Sequence, residues 1–218
     1  MAGEIRRACR DRAAGWKAVV RFKWRGNRKC TNSGKRKYGK LLCLRVGVVR
    51  IKTLCYTKRK NRMTVMKKMR EVLYRVWIDP ERYRLKRPVR MTLLADLHSN
   101  EIGKENKILI QRIVQFDPDL VLIAGDLIVG EAGSDTTIAR NLLEELRKKY
   151  PIYYENGNHE HRMKVKPEIY GTVYKEYHEW LMDREIHFIE NEREEIELCG
   201  IKIGIYGLEL GQEYFRRA

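Results

Sequence analysis

The chain has 218 residues, enough for one full domain and an additional segment but hardly for two full domains, and its formal charge is +17. That total hides a split: residues 1–90 hold 30 Lys and Arg against 5 Asp and Glu, whereas residues 91–218 hold 16 against 24. A basic arm thus precedes a mildly acidic domain, and reading the whole as a basic protein would lose the boundary.

Four of the five cysteines, Cys9, Cys30, Cys43 and Cys55, fall in the arm, and Cys199 stands alone. No pair has C-x-x-C spacing and the count is odd, so the cysteines give neither a zinc site nor a closed disulfide framework, and a reducing, cytoplasmic setting is expected. No apolar run reaches the roughly 18 residues of a spanning helix, since Leu41–Tyr56 is interrupted by Arg45, Arg50 and Lys52. The N-terminus lacks the apolar stretch and cleavage site of a signal peptide.

Residues 1–62 show no sustained period of 3.6 or 2 and are rich in Arg, Lys and Gly. Expected here is a poorly ordered basic arm, or a stretch translated from a start assigned too far upstream, with Met63, Met66 and Met69 as candidate starts. Charge with interleaved Trp16 and Trp24 allows contact with nucleic acid or anionic lipid, but charge alone is a weak signal and nucleic-acid binding is not favoured. From Met63 to Trp77, residues Val65, Met66, Met69, Val72, Leu73, Val76 and Trp77 fall on one face at helical spacing. The pattern predicts a basic amphipathic helix over 63–77, with a linker to 87. Such a helix either packs on its own domain or makes peripheral contact with a membrane surface.

After Pro88 the pattern becomes regular. A strand is predicted over Val89–Ala95, a helix over Lys104–Gln115, and a doubly buried strand over the apolar run Leu120–Ala124. A second helix is predicted over Thr136–Lys149, a strand over Ile152–Tyr154 and a helix over Glu168–Met182. Short strands follow near His187–Glu190, Glu194–Leu198 and Lys202–Tyr206. Alternation of strand and helix with short loops implies an α/β domain over residues 88–218, with a largely parallel sheet covered by helices.

Ligands of open α/β sheets bind beyond the carboxyl ends of the strands. Three successive strands here end in Asp96-Leu97-His98, in Gly125-Asp126, and in Gly157-Asn158-His159-Glu160-His161. Asp-x-His or Gly-Asp alone occurs by chance, but all three in order at strand ends make a stronger signal. Asp96 and His98, two apart, are expected to leave the strand on the same side and reach one cation. Asp126 has two oxygens with which to bridge two cations, and Asn158 offers a neutral carbonyl oxygen. Mixed N/O donors suit Mn, Fe or Zn. Two such ions generate a bridging hydroxide and clamp phosphoryl oxygens, leaving His159 to stabilise charge or protonate the leaving oxygen.

The D-x-H, G-D, G-N-H-[ED] series resembles the signature of the calcineurin-like metallophosphoesterases over about residues 88–218. It is most similar to bacterial phosphohydrolases whose domain often follows a membrane-associated segment. The resemblance implies an α/β sandwich, a dinuclear metal centre and hydrolysis of a phosphomonoester or phosphodiester. It further implies metal ligation by Asp96, His98, Asp126 and Asn158, with His159 as the catalytic histidine. The family completes its two sites with further histidines, two of them in G-H-x-H, and this chain has neither. After His161 only His178 and His187 remain, in a predicted helix and at the start of a predicted strand. The expectation is therefore an incomplete domain, truncated before those motifs, with a weak second metal site and impaired activity. The competing readings are a non-catalytic protein binding nucleic acid or anionic membrane through its arm, and an ordinary α/β domain with coincidental motifs.

Overall fold

The computed structural model describes residues 47–61, 64–78 and 85–209. Expectations for residues 1–46 and for the tail after Glu209 lie outside the described residues.

Six strands form one sheet in the order β2-β1-β3-β4-β5-β6: β1 (Gly47–Asn61), β2 (Thr64–Ile78), β3 (Val89–Ala95), β4 (Leu120–Ala124), β5 (Ile152–Glu155) and β6 (His187–Phe188). From β1 through β3, β4 and β5 to β6 every neighbouring pair is parallel, and only β2 runs antiparallel at the edge. Helix α1 (Lys107–Phe116) connects β3 to β4, and α2 (Thr137–Arg147) connects β4 to β5. Helices α3 (Asn158–Val165), α4 (Pro167–Tyr170) and α5 (Val173–Met182) connect β5 to β6. Strands β7 (Arg193–Leu198) and β8 (Ile201–Tyr206) form a separate antiparallel hairpin.

Side-chain alternation along the strands divides the core in two. Leu94, Val121, Ile123, Ile152 and Tyr154 pack with Leu109 and Ile113 of α1, Leu142, Leu143 and Leu146 of α2, and Tyr177 and Leu181 of α5. On the opposite face Val89, Met91, Leu120, Leu122 and Tyr153 pack with Ile201 and Ile205 of the hairpin. Among the described residues, helices thus cover one face and the β7–β8 hairpin the other, where helices on both faces were expected. Strand β4 contributes to both cores and all five of its residues are buried, as its unbroken apolar run requires. The parallel connections carry every β-to-α turn near the site to one end of the sheet.

Two expectations near the N-terminus are corrected. Residues 64–78 form a strand, not the amphipathic helix expected over 63–77. Val72, Tyr74 and Val76 are half-buried while Glu71, Leu73 and Arg75 are exposed, a period of 2. Leu73, assigned to the apolar face of the helix, is 47% exposed. The apolar positions fit both periods. Pairing with β1 along the whole length, from Asn61↔Thr64 to Gly47↔Ile78, decides between them, and the β-branched and aromatic content of the run favours the same outcome. Residues 47–61, expected to belong to a poorly ordered arm, form β1, and Leu54 is fully buried in the helix-side core. The single helix expected over 168–182 is broken between α4 and α5 at Gly171, whose φ of 65° lies in the left-handed region. Among the described residues no helix is long and apolar enough to cross a membrane.

Leu54→Ala tests whether β1 belongs to this sheet. Truncating a fully buried leucine costs about 2–5 kcal/mol, so the urea midpoint of the full chain is expected to fall clearly. An unmoved midpoint would return residues 47–61 to the arm.

Candidate metal centre

The first of the three motifs starts where β3 stops. Asp96 (φ 64°), His98 (φ 49°) and Ser99 (φ 51°) all take left-handed backbone conformations, which ordinary residues adopt at a cost of roughly 1–3 kcal/mol each. The same-side argument for Asp96 and His98 presupposed extended backbone, and the chain has already left the strand at both positions. Their placement comes instead from backbone pairing with the next loop. The Asp96 N–H donates to Gly125 O at 3.2 Å, the His98 N–H to Asp126 O at 2.8 Å, and the Ser99 N–H to Leu127 O at 2.8 Å.

The second and third motifs meet through their glycines. Gly125 (φ 69°) lies so close to Gly157 that a Cβ on it would fall on the Gly157 backbone, and a Cβ on Gly157 would fall on Asp126. Asp126, itself at φ 54°, is 2% exposed. The His159 N–H donates to its Oδ1 at 2.9 Å, and one end of the Asn158 carboxamide lies 2.9 Å from its Oδ2. Two oxygens facing at that distance would repel, so the end towards Asp126 is the amide nitrogen, which donates to Oδ2.

Among the described residues, the metal-binding atoms of His98, Asp126 and His159 come within 4.8 Å of one another. The His98 and His159 rings meet edge to face with centroids 4.7 Å apart. Asp96, buried at 7% exposure, lies two residues before His98 but outside that trio. The structure thus brings together residues of all three motifs, with Asn158 against Asp126 and Asp96 in the loop paired with Gly125. Carboxylate and imidazole donor atoms this close together could hold a divalent metal ion.

The remaining histidines go elsewhere. His161 Nδ1 lies 2.9 Å from Glu209 Oε1. His178 stacks on Tyr174 and meets Phe188 edge to face, while His187 stacks on Tyr153 and sits 3.3 Å from Glu194.

One residue that the motif contains, but to which it assigned no role, organises the site. Glu160 is fully buried. Its Oε2 accepts from the Asp126 N–H at 2.8 Å and the Gly157 N–H at 3.1 Å. Its Oε1 accepts from the Leu127 N–H at 3.0 Å, the Ile128 N–H at 3.3 Å and the Tyr154 hydroxyl at 3.2 Å. Burial, with the Asp126 charge beside it, pushes the Glu160 carboxyl up to about 7 in spite of these amide donors. A sequence signal existed: Gly157-x-x-Glu160 is the spacing at which an N3 glutamate reaches back to the N–H that precedes its helix, and helix α3 starts there.

Glu209, two residues after Gly207, closes the far side. Its carboxylate takes the His161 contact, an ion pair with Lys164 at 2.9 Å and a hydrogen bond from Asn156 Nδ2 at 3.2 Å. Lys164 also pairs with Glu190. Burial pushes Glu209 up, but Lys164 and His161 outweigh it and hold its carboxyl below the usual range. No sequence pattern marks this network, because its members lie up to 53 positions apart.

Nitrogen and oxygen donors thus gather at the carboxyl end of a parallel sheet, where ligands of open α/β sheets bind. The calcineurin-like phosphoesterase family matches residues 89–207, over half the chain. The chain belongs to that family. No curated protein and no solved structure matches it.

Glu155, at the end of β5, is 7% exposed, and its Oε2 makes no hydrogen bond. Burial pushes its carboxyl up to about 8, with Glu209 and Glu190 adding to the rise against the opposing Asn156 N–H and Lys164. The folded state therefore holds this proton more tightly than the unfolded chain, whose carboxyl sits near 4.5, and stability falls as pH rises through that window. Glu155→Gln removes the ionisation. Its urea midpoint relative to the unsubstituted chain is expected to climb between pH 5 and pH 8.5, and a constant or falling difference would refute the assignment.

Proposed function

We propose that this domain hydrolyses phosphate esters, with Asp96, His98, Asp126 and Asn158 holding divalent metal ions and His159 acting on the substrate. The observation that carries the reading is the convergence of His98, Asp126 and His159 from the ends of three successive strands within a family of metal-dependent phosphoesterases. Such ions, when bound, polarise the phosphoryl group and lower the pKa of the attacking water.

The chain's own residues prepare that chemistry. The Asp126 carboxylate accepts from two directions, from the His159 N–H on Oδ1 and from the Asn158 carboxamide N–H on Oδ2. Asn158 adds an oxygen donor without adding charge, which limits repulsion around an anionic substrate. Gly125 and Gly157 keep side-chain bulk out of the junction between the two loops. The His159 ring lies against His98, centroids 4.7 Å apart, beside the atoms that would hold the ions.

The donors are unequally shared. Asp96, His98 and Asp126 would hold a first ion, whereas only Asp126 and Asn158 among the described residues would remain for a second. One tightly held ion and a second of low affinity follow.

Three measurements on the full chain test it. Metal analysis after gel filtration is expected to give about one ion per chain, and two retained ions would mean that other groups complete the second site. Hydrolysis of p-nitrophenyl phosphate or bis(p-nitrophenyl) phosphate with added Mn²⁺ is expected to vanish on chelation and in Asp126→Asn. His159→Gln is expected to lower kcat by about 10²–10⁴, the usual contribution of a positioned acid or base. Unchanged hydrolysis in Asp126→Asn would defeat the proposal.

A further inference from the structure

His159 belongs to the trio of converging donor atoms, and this raises a question of chemistry. An imidazole at that point either ligates a cation through Nε2 or presents an N–H to the substrate, and it cannot do both. What surrounds its other nitrogen decides which.

Two groups address Nδ1. The Gly130 backbone N–H points at it from 2.8 Å. The Arg162 Nη2 lies 3.2 Å away. A backbone amide and a guanidinium are donors only, so Nδ1 has to be the acceptor in both contacts. The closeness of Gly130 reflects its lack of a side chain: a Cβ there would meet the His159 carbonyl oxygen at 3.0 Å and Nδ1 at 3.3 Å. Arg162 reaches the ring from one helical turn further along α3.

A neutral imidazole has one hydrogen. With Nδ1 accepting, that hydrogen is on Nε2, where it leaves no in-plane lone pair for a cation. Ligation through Nε2 would demand either Nδ1–H, driven against two donors, or a fully deprotonated ring.

Resting on the phosphoesterase reading, we propose that Gly130 and Arg162 hold His159 as its Nε2–H tautomer. The ring then gives a hydrogen bond to a phosphoryl or leaving oxygen and does not ligate a metal ion. Arg162 is a positioning residue acting through His159. Of the converging trio, His98 and Asp126 are the ion-holding members.

Nitrogen-15 NMR of the full chain labelled at histidine, metal-free and at a pH where the ring is neutral, reads the tautomer directly, with His159→Gln supplying the assignment. A pyridine-type Nδ1 with a protonated Nε2 is expected, and the reverse pattern overturns the proposal. On titration with Zn²⁺ the His159 Nε2–H signal is expected to persist while His98 shifts. Loss of that hydrogen at His159 would make it a ligand and likewise overturn the proposal. With p-nitrophenyl phosphate and Mn²⁺, Arg162→Met is expected to lower kcat about tenfold with little change in KM, and Arg162→Lys, which keeps a donor, to recover much of it. Equal kcat in both variants and the parent would remove Arg162 from the mechanism. If the parent hydrolyses nothing while NMR shows Nε2–H, the functional reading fails and the tautomer assignment stands.

Discussion

A single buried carboxylate joins the parts of this site. Placing Glu160 out of water costs several kcal/mol as an ion, and the structure offsets that cost with four backbone N–H donors and a tyrosine hydroxyl. Hydrogen bonds to a charged acceptor contribute roughly 1.5–3 kcal/mol each, and here they offset only part of the burial, which leaves the carboxyl raised to about 7. Three of the four amides belong to the loop after β4 and one to the loop after β5. Glu160 therefore fixes how far apart Asp126 and Asn158 sit, and through Asp126 O the position of His98 as well. Neither loop has regular secondary structure to hold it, and both depend on this side chain for their geometry.

The rest of the architecture brings the two loops to where Glu160 can join them. Parallel pairing of β3, β4 and β5 puts three chain exits side by side, and the alternating division of their side chains between two cores locks the register of each strand. A one-residue slip of β4 would exchange Val121 and Ile123 with Leu120 and Leu122 across the sheet and move Asp126 away from Glu160. Precision in the site is thus inherited from apolar packing more than 10 residues away along the chain, in helices α1 and α2.

Much of this was legible from sequence, and the failures have identifiable causes. The apolar runs at 89–95 and 120–124 marked strands β3 and β4, and the motif at each strand's end marked the candidate site, because strand length and metal-binding chemistry are both local properties. The strand at 64–78 was misread because Val65, Met69, Val72 and Val76 satisfy a helical period while Val72, Tyr74 and Val76 satisfy a strand's. The partner that resolves the ambiguity, β1, lay in a region whose charge concealed its strand character. Helix α3 went unseen because Asn158–His159–Glu160–His161 reads as a loop of polar residues; its start is set by Glu160 reaching back to Gly157, not by amphipathic spacing. Arg162 and Glu209 carried no signal at all, since a guanidinium behind a histidine or a distant carboxylate beside another histidine is defined only by tertiary contact.

The left-handed backbone at Asp96, His98 and Asp126 bears on how this site tolerates inheritance. A codon change at any of these positions is screened twice, once for the side chain's chemistry and once for its willingness to adopt positive φ. Asparagine and glycine pass the second screen easily, whereas valine, isoleucine and threonine fail it whatever they contribute to the ion. At these three positions the backbone therefore accepts Asn and Gly most readily, so the fold tolerates substitutions that change the donor atoms.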